Sequence, residues 1–166
     1  MKKLLLLTVV ALVSGGCCRY SHPEYAFNEA VKMVHENRAE CVVVKDNSIL
    51  AVERGRGVSP LLKLYDTKKE LMAGATVVDK VIGRAAAFIV IKGKAKAVYG
   101  KIMSEDAKEL LAQYDIKATH DLLVPRILNR KRDGLCPLED SVKDAKDADS
   151  ALKSMRKRII ELRSGK

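Results

Sequence analysis

The strongest constraint on the fold is the alternation of helical patterns with short β-branched runs after residue 23. Apolar residues recur at helical spacing over residues 26–37, which predicts a first helix. Cys41–Val44 and Ile49–Val52 are short apolar runs separated by the turn signal Asp46-Asn47, and together they predict a β-hairpin. Helices placed between strands are typical of a sheet that is covered on both faces.

The second half of the chain continues this alternation. It predicts, in order, a helix over 60–65, a helix over 81–91, a strand over 94–103, a helix after 104 and a strand over 122–124. Asp79 and Ser104 are placed to cap the second and third of these helices. Residues 126–137 are predicted to form a loop, and an amphipathic stripe with Asp147 as its cap predicts a final helix within 146–166.

The length of 166 residues leaves room for one domain and a short appendage. We therefore predict one α/β domain over residues 22–145, followed by the C-terminal amphipathic helix. Residues 1–18 have the pattern of a secretory signal, because Lys2 and Lys3 precede an apolar run of ten residues that is too short to span a bilayer, which takes about 20 residues.

Cys17 follows Gly15-Gly16 and stands where bacterial lipoproteins carry their lipidated cysteine, although Ser14 replaces the leucine that such sites favour. We expect export, with a lipid on Cys17 as the only membrane attachment. A cytoplasmic protein with an uncleaved N-terminal helix is the alternative.

The charge of the chain favours anionic partners. Lys and Arg exceed Asp and Glu enough to give a net charge of +10, which attracts phosphorylated molecules and other anions. The chain has no Trp, two Phe and five Tyr, too few to indicate nucleic-acid binding by stacking. The expected partner is therefore an anionic small molecule. A solvated basic surface that only aids solubility is the alternative.

Three segments carry a resemblance to a known family: GRGVSPLL at 55–62, DKVIGRAAA at 79–87, and Asn129-Arg130 with GLCPLE at 134–139. Together they resemble a bacterial family known only as a domain of unknown function, whose fold is similar to that of cytidine deaminases. The resemblance covers roughly residues 23–145. It implies a three-layer α/β/α cytidine-deaminase-like fold with a mixed central sheet, and it implies no reaction.

The chain lacks the ligands that a zinc nucleobase deaminase needs, whose signature is H-x-E followed by P-C-x-x-C. His22-Pro23-Glu24 matches the first half but precedes the first predicted helix, and no two of the four cysteines are separated by two residues. By resemblance the zinc motifs should fall after Asp79 and near Ser104, where neither segment offers His or Cys. We predict no metal site, no cofactor and no classical zinc deamination.

The same motif segments contain groups that suit an anion. Glycines allow close backbone approach and arginines can bind an anion bidentately, which points to Arg54, Gly55, Arg56 and Gly57. Asp79 and Lys80 would stand at a helix N-terminus, which attracts anions, and Asn129 and Arg130 belong to a basic loop. We predict that Arg56, Lys80 and Arg130 neutralise a nucleotide-like or phosphorylated ligand, with Asp79 and Asn129 as hydrogen-bonding groups. A tight turn, an ordinary cap and a solvated loop are the alternatives.

An enzyme of unassigned chemistry is the second hypothesis. Cys136 beside basic residues could be a nucleophile, a buried Lys80 could be a base or amine, and Glu139 could transfer a proton. His120 is the one histidine that could pair with Cys136. Alternatively, Cys136 is a packing residue and Glu139 lies in the first turn of a helix that Pro137 begins. A third hypothesis is an envelope lipoprotein whose domain binds another protein.

Overall fold

The computed structural model describes residues 24–165, and the structural statements below concern this part of the chain. Five strands form one sheet: β1 (Cys41–Lys45), β2 (Ser48–Glu53), β3 (Thr76–Ile82), β4 (Ala97–Ser104) and β5 (Lys117–Val124). The helices are α1 (Tyr25–His35), α2 (Ser59–Lys68), α3 (Arg84–Lys92), α4 (Glu105–Gln113), α5 (Pro137–Val142) and α6 (Ala148–Arg163), with a 3₁₀ turn at Lys69–Leu71.

The sheet is mixed, with the strand order β2-β1-β3-β4-β5. β1 is antiparallel to both of its neighbours, whereas β3, β4 and β5 are parallel and are connected through α3 and α4. The carboxyl ends of four strands and the amino end of β1 therefore meet at one edge, which we call the carboxyl edge. Open α/β sheets usually bind ligands just outside this edge.

The two faces of the sheet pack against different helices. The larger core lies between the sheet and helices α2–α6, with Phe88, Leu61 and Met155 almost fully buried in it. The smaller core lies under α1, where Val42, Val78 and Tyr99 face the helix. The three-layer α/β/α arrangement with a mixed sheet is confirmed. The C-terminal helix α6 packs against α3 and α5, so its apolar stripe completes the larger core.

Locally determined features are as predicted. Asp46 and Asn47 both have positive φ, 49° and 54°, as a tight two-residue hairpin turn requires. The Ser104 hydroxyl accepts a hydrogen bond from the Ala107 N–H at 3.2 Å and caps α4. The Asp147 carboxylate accepts one from the Ser150 N–H at 2.8 Å in a capping box that begins α6.

The prediction for the segment around Asp79 is wrong. Asp79 caps no helix, because it lies in the middle of β3, and α3 begins only at Arg84. A central strand is buried on both faces and has no polar alternation, so β3 and the apolar helix after it give one continuous pattern. Gly83 alone separates them, with an extended backbone at φ −99° and ψ −176°. β5 also begins five residues earlier than predicted, because its first half is a polar edge strand.

The signal-like segment 1–18, Cys17 and His22 lie outside the described residues. Within residues 24–165, no helix is both long enough and apolar enough to cross a bilayer.

Candidate functional site

An open depression of about 520 Å³ lies at the carboxyl edge, and five of the residues predicted to bind an anion line it. Gly55, Arg56 and Gly57 come directly after β2, Lys80 stands near the end of β3, and Arg130 belongs to the loop after β5. Glu40, the residue before β1, completes the lining. We call this site the basic depression.

The loop after β2 depends on two glycines for different reasons. Gly55 has a φ of 151°, and a side chain there would also approach the Pro60 ring to 3.0 Å. Gly57 has a φ of 56° but open space around it, so only its backbone conformation requires glycine. The loop then turns directly into α2, where Pro60 occupies the first turn. This leaves Arg56 at the tip of the turn.

Positive charge in the basic depression exceeds negative charge. Within residues 24–165, Arg56 and Arg130 are exposed and have no ion-pair partner. Lys80 Nζ lies 3.7 Å from Glu40 Oε2, and both side chains are half-buried. Three cations therefore line the depression against one carboxylate, so its lining has a net positive charge.

Sequence reasoning missed Glu40, which no motif marks. The antiparallel register opposes Cys41 to Asp79, and the Lys80 N–H donates to the Glu40 carbonyl at 3.1 Å. Only recognition of β3 as the neighbour of β1 could have placed these two residues together.

A second polar cluster lies at the N-terminus of α3. Glu139 from α5 accepts a hydrogen bond from the Arg84 N–H at 2.8 Å and another from the Ala85 N–H at 3.0 Å. A Cβ atom on Gly83 would lie 2.4 Å from Glu139 Oε1, so glycine is needed here for space. Burial raises the pKa of Glu139 above its ordinary value, and the two N–H groups oppose that shift. The helix N-terminus that attracts anions is thus occupied by the chain's own carboxylate.

Arg84 lines a small cavity of about 250 Å³ beside Glu139, together with Asp106 and Arg126. Its guanidinium lies 5.3 Å from the centre of the Phe88 ring, and its Nη2 is 3.4 Å from the Ala145 carbonyl. Its Nε is buried and has no partner within residues 24–165.

Comparison with known proteins identifies the family. A family model described as TM1506, domain of unknown function (DUF1893), matches residues 29–159, most of the chain. The chain belongs to the DUF1893 family. The resemblance found in the three motif segments is confirmed.

The solved structure of a DUF1893 family protein, TM1506 of Thermotoga maritima, matches with a TM-score of 0.70 and 21% identity. The match covers 82% of this chain and 89% of that one, and at this identity it establishes the fold alone. No curated protein matches the chain.

Two deaminases are more distant structural neighbours of the chain described here. One is the dCMP deaminase of cyanophage S-TIM5, with 15% identity and a TM-score of 0.44; the match covers 57% of this chain and 95% of that one. The other is the diaminohydroxyphosphoribosylaminopyrimidine deaminase/reductase of Thermotoga maritima, with 16% identity and a TM-score of 0.44; the match covers 72% of this chain and 40% of that one. Such scores support no statement about the chemistry of the DUF1893 chain. Within residues 24–165, no three His, Cys, Asp or Glu side chains are grouped to hold a metal ion.

Three predicted ligand-binding residues of the DUF1893 chain lie outside the basic depression. Arg54 Nε donates to the Arg38 carbonyl at 2.7 Å, which holds this side chain against the loop before β1. Asn129 Nδ2 donates to Asp133 Oδ1 at 2.7 Å and closes its own loop. Asp79 is only 4% exposed and cannot reach a ligand there.

Asp79 instead belongs to a buried row across the sheet, in register with Cys41, which is itself in register with Glu53. The Asp79 carboxylate accepts from the Val81 N–H at 3.0 Å, and burial raises the pKa of Asp79 to about 7. Burial also raises the pKa of the Cys41 thiol. Glu53 behaves differently, because a hydrogen bond from Lys63 at 2.7 Å lowers its pKa.

The proposed catalytic residues are not assembled into one site. Lys80 lines the basic depression, whereas Cys136 and Glu139 do not. Cys136 is a half-buried free thiol that precedes α5, and its N–H donates to the Ile127 carbonyl at 3.0 Å. Within the described residues, no hydrogen bond joins Cys136 to His120, whose Nδ1 is buried without a partner. A nucleophilic role for Cys136 stays a prediction.

Proposed function

We propose that the basic depression binds a small anionic molecule through a phosphate or carboxylate group, with nucleotide-like and phosphorylated compounds as the leading class. The observation that carries the proposal is the convergence of Arg56, Lys80 and Arg130 from three separate segments of the chain. Two of these three cations have no ion-pair partner within residues 24–165.

The position of the depression supports this proposal. It lies just outside the carboxyl edge, where the loops after β2 and β5 meet Glu40 before β1 and Lys80 near the end of β3. Gly55 and Gly57 have no side chains, so a phosphate group could approach the backbone of this loop closely.

The three cations have different roles in the proposed site. Arg56 and Arg130 carry planar guanidinium groups that can each donate two hydrogen bonds to one anion. Lys80 is held by Glu40 at 3.7 Å and supplies a fixed point charge. Because Glu40 offsets one of the three cations, a ligand carrying about two negative charges would balance the site.

The test is thermal unfolding of the full-length chain with inorganic phosphate, pyrophosphate, nucleoside monophosphates and citrate as the added anions. A ligand at about 100 times its Kd adds about 2.7 kcal/mol of stability. We expect at least one of these anions to raise the Tm by several degrees, and Arg56→Ala or Arg130→Ala to abolish the shift.

Arg54→Ala is the matched control, because it removes the same charge two residues away from Arg56 while Arg54 is bound to the Arg38 carbonyl. If Arg54→Ala and Arg56→Ala reduce the Tm shift equally, the anion binds through the net charge of the protein and not at the basic depression. No shift with any of the anions would refute the proposal.

A further inference from the structure

A second cavity, of about 480 Å³, lies at the opposite edge of the sheet, between α1 and the amino ends of β4 and β5. Its apolar wall is formed by Phe27 of α1 and by Val44 and Tyr99 of the sheet. The volume is within the range of small-molecule sites, about 300–1,000 Å³. We call it the α1 cavity.

The walls of the α1 cavity are fixed by specific contacts. The Phe27 and Tyr99 rings meet edge to face, with centroids 6.0 Å apart and planes at 87°. The Tyr99 hydroxyl is hydrogen-bonded to His35 Nε2 at 2.9 Å, so its ring is held at both ends. The Ala26 N–H donates to Asn47 Oδ1 at 3.0 Å, which ties the start of α1 to the β1–β2 turn. The cavity is therefore formed before any ligand arrives.

Three lysines from separate segments border this apolar wall: Lys45 at the end of β1, Lys96 before β4 and Lys117 at the start of β5. The Lys117 N–H donates to the Lys96 carbonyl at 3.3 Å, so these two residues are neighbours across the strands. Within residues 24–165, none of the three lysines has a carboxylate within 4.0 Å. Lys45 Nζ is bound to the Ala73 carbonyl at 3.0 Å, which leaves Lys96 and Lys117 as the available cations.

Two carboxylates limit which anions fit. Glu24 and Asp46 also border the cavity, at the start of α1 and in the β1–β2 turn. They would repel a molecule with several negative charges, whereas one anionic group beside the lysines is favoured.

We propose that the α1 cavity binds an amphipathic organic anion. A flat apolar body packs on Phe27, Val44 and Tyr99, and a single carboxylate, sulfonate or phosphate group is held by Lys96 and Lys117. This site is separate from the basic depression and does not depend on its function.

The test uses two fluorescent probes with the full-length chain: 1-anilinonaphthalene-8-sulfonate, and N-phenyl-1-naphthylamine, which has the same rings without the sulfonate. We expect one saturable sulfonate site. The double variant Lys96→Gln with Lys117→Gln should weaken sulfonate binding about tenfold, because it removes the charge-assisted contacts. It should change the affinity of the neutral probe by less than about twofold, because the apolar wall is intact.

The matched control is Lys108→Gln with Lys153→Gln, which removes the same charge from exposed positions on α4 and α6. Thr119→Phe is the second variant. Thr119 lines the cavity from the exposed edge strand β5, and the phenylalanine ring in its place would fill the cavity. We expect Thr119→Phe to remove the binding of both probes.

Three results would overturn the proposal. One is the absence of saturable sulfonate binding. Another is equal weakening by the two double lysine variants. The third is loss of binding in Ile160→Ser or Arg56→Ala with the cavity variants unaffected, since Ile160 belongs to the exposed apolar groove between α2 and α6 and Arg56 to the basic depression. Circular dichroism of each variant verifies that the fold is retained.

Discussion

Two polar clusters share the carboxyl edge of the sheet, and they differ in what neutralises them. At the N-terminus of α3, the chain supplies its own anion, since Glu139 accepts hydrogen bonds from the Arg84 and Ala85 N–H groups. In the basic depression, Arg56 and Arg130 have no partner within residues 24–165. The helix N–H groups of the first cluster thus have an acceptor within the chain, whereas the arginines of the second have no counter-ion among the described residues.

The difference indicates what each cluster contributes to the molecule. Glu139 is fixed by α5 and fits into space that only a glycine at position 83 leaves free, so this contact stabilises the fold. Arg56 is exposed on a glycine turn and Arg130 is exposed on a loop, so neither holds other elements together. Changes in the filled cluster should alter stability, whereas changes in the open one should alter ligand binding.

The largest expected effect on stability is the pH dependence due to Asp79, a buried carboxyl group in β3, the strand that leads to both clusters. Its pKa is raised from 3.8 to about 7, mainly by burial. Between these pH values the unfolded chain has lost a proton that the folded chain retains, so the free energy of unfolding falls as the pH rises from about 4 to about 7. The loss is on the order of 4 kcal/mol, at about 1.4 kcal/mol per pH unit.

Asp79→Asn should remove this slope, because the amide is neutral throughout and can still accept from the Val81 N–H. Denaturant unfolding at pH 4.5, 6 and 7.5 measures the difference between variant and wild type. Glu139, whose pKa is also raised, leaves a residual slope of the same sign in both proteins. Asp115→Asn on an exposed turn is the control. Parallel pH profiles for wild type and Asp79→Asn would contradict the expectation.

The second effect tests the filled cluster directly. Gly83→Ala places a Cβ atom 2.4 Å from Glu139 Oε1 and must displace that carboxylate. We expect a loss of about 2 kcal/mol in the free energy of unfolding, since two helix N–H groups lose their acceptor. Gly134→Ala is a mild control, because its Cβ would lie at an ordinary 3.5 Å from the Asn129 side chain.

The double variant separates displacement of Glu139 from other causes. In Glu139→Ala, the space beside position 83 is free, so adding Gly83→Ala should cost little more. Full additivity of the two losses would show that Gly83 is needed for another reason.

How far the sequence predicts this fold depends on whether a feature is local. The Asp46-Asn47 turn and the caps at Ser104 and Asp147 each rest on contacts within a few residues, and all three are confirmed. Sequence analysis does not predict β3, because Asp79 has the residue type of a helix cap and only Gly83 separates the apolar strand from α3. Periodicity alone cannot separate a buried strand from a helix that follows at once.

The candidate site shows the same limit. Residues of the basic depression were identified because they stand in motif segments with unusual glycine and arginine content. Glu40 and Glu139 were not assigned their observed roles, since these depend on strand register and on a contact across 55 residues of sequence. Arg54 and Asn129 lie outside the basic depression, and each side chain is held by a partner, Arg38 or Asp133, that composition does not reveal.

The smallest expected effect tests the open cluster. Arg56→Ala and Arg130→Ala should each change the free energy of unfolding by less than about 0.5 kcal/mol without ligand, since exposed, unpaired side chains contribute little. Arg156→Ala is the comparison, because Arg156 forms an ion pair with Asp66 and its loss should cost up to about 1 kcal/mol. Denaturant unfolding in a phosphate-free buffer measures all three. If Arg56→Ala lowers the free energy of unfolding by more than about 1 kcal/mol, Arg56 stabilises the glycine turn. The effect of this substitution on anion binding would then reflect altered folding instead of a lost contact with the anion.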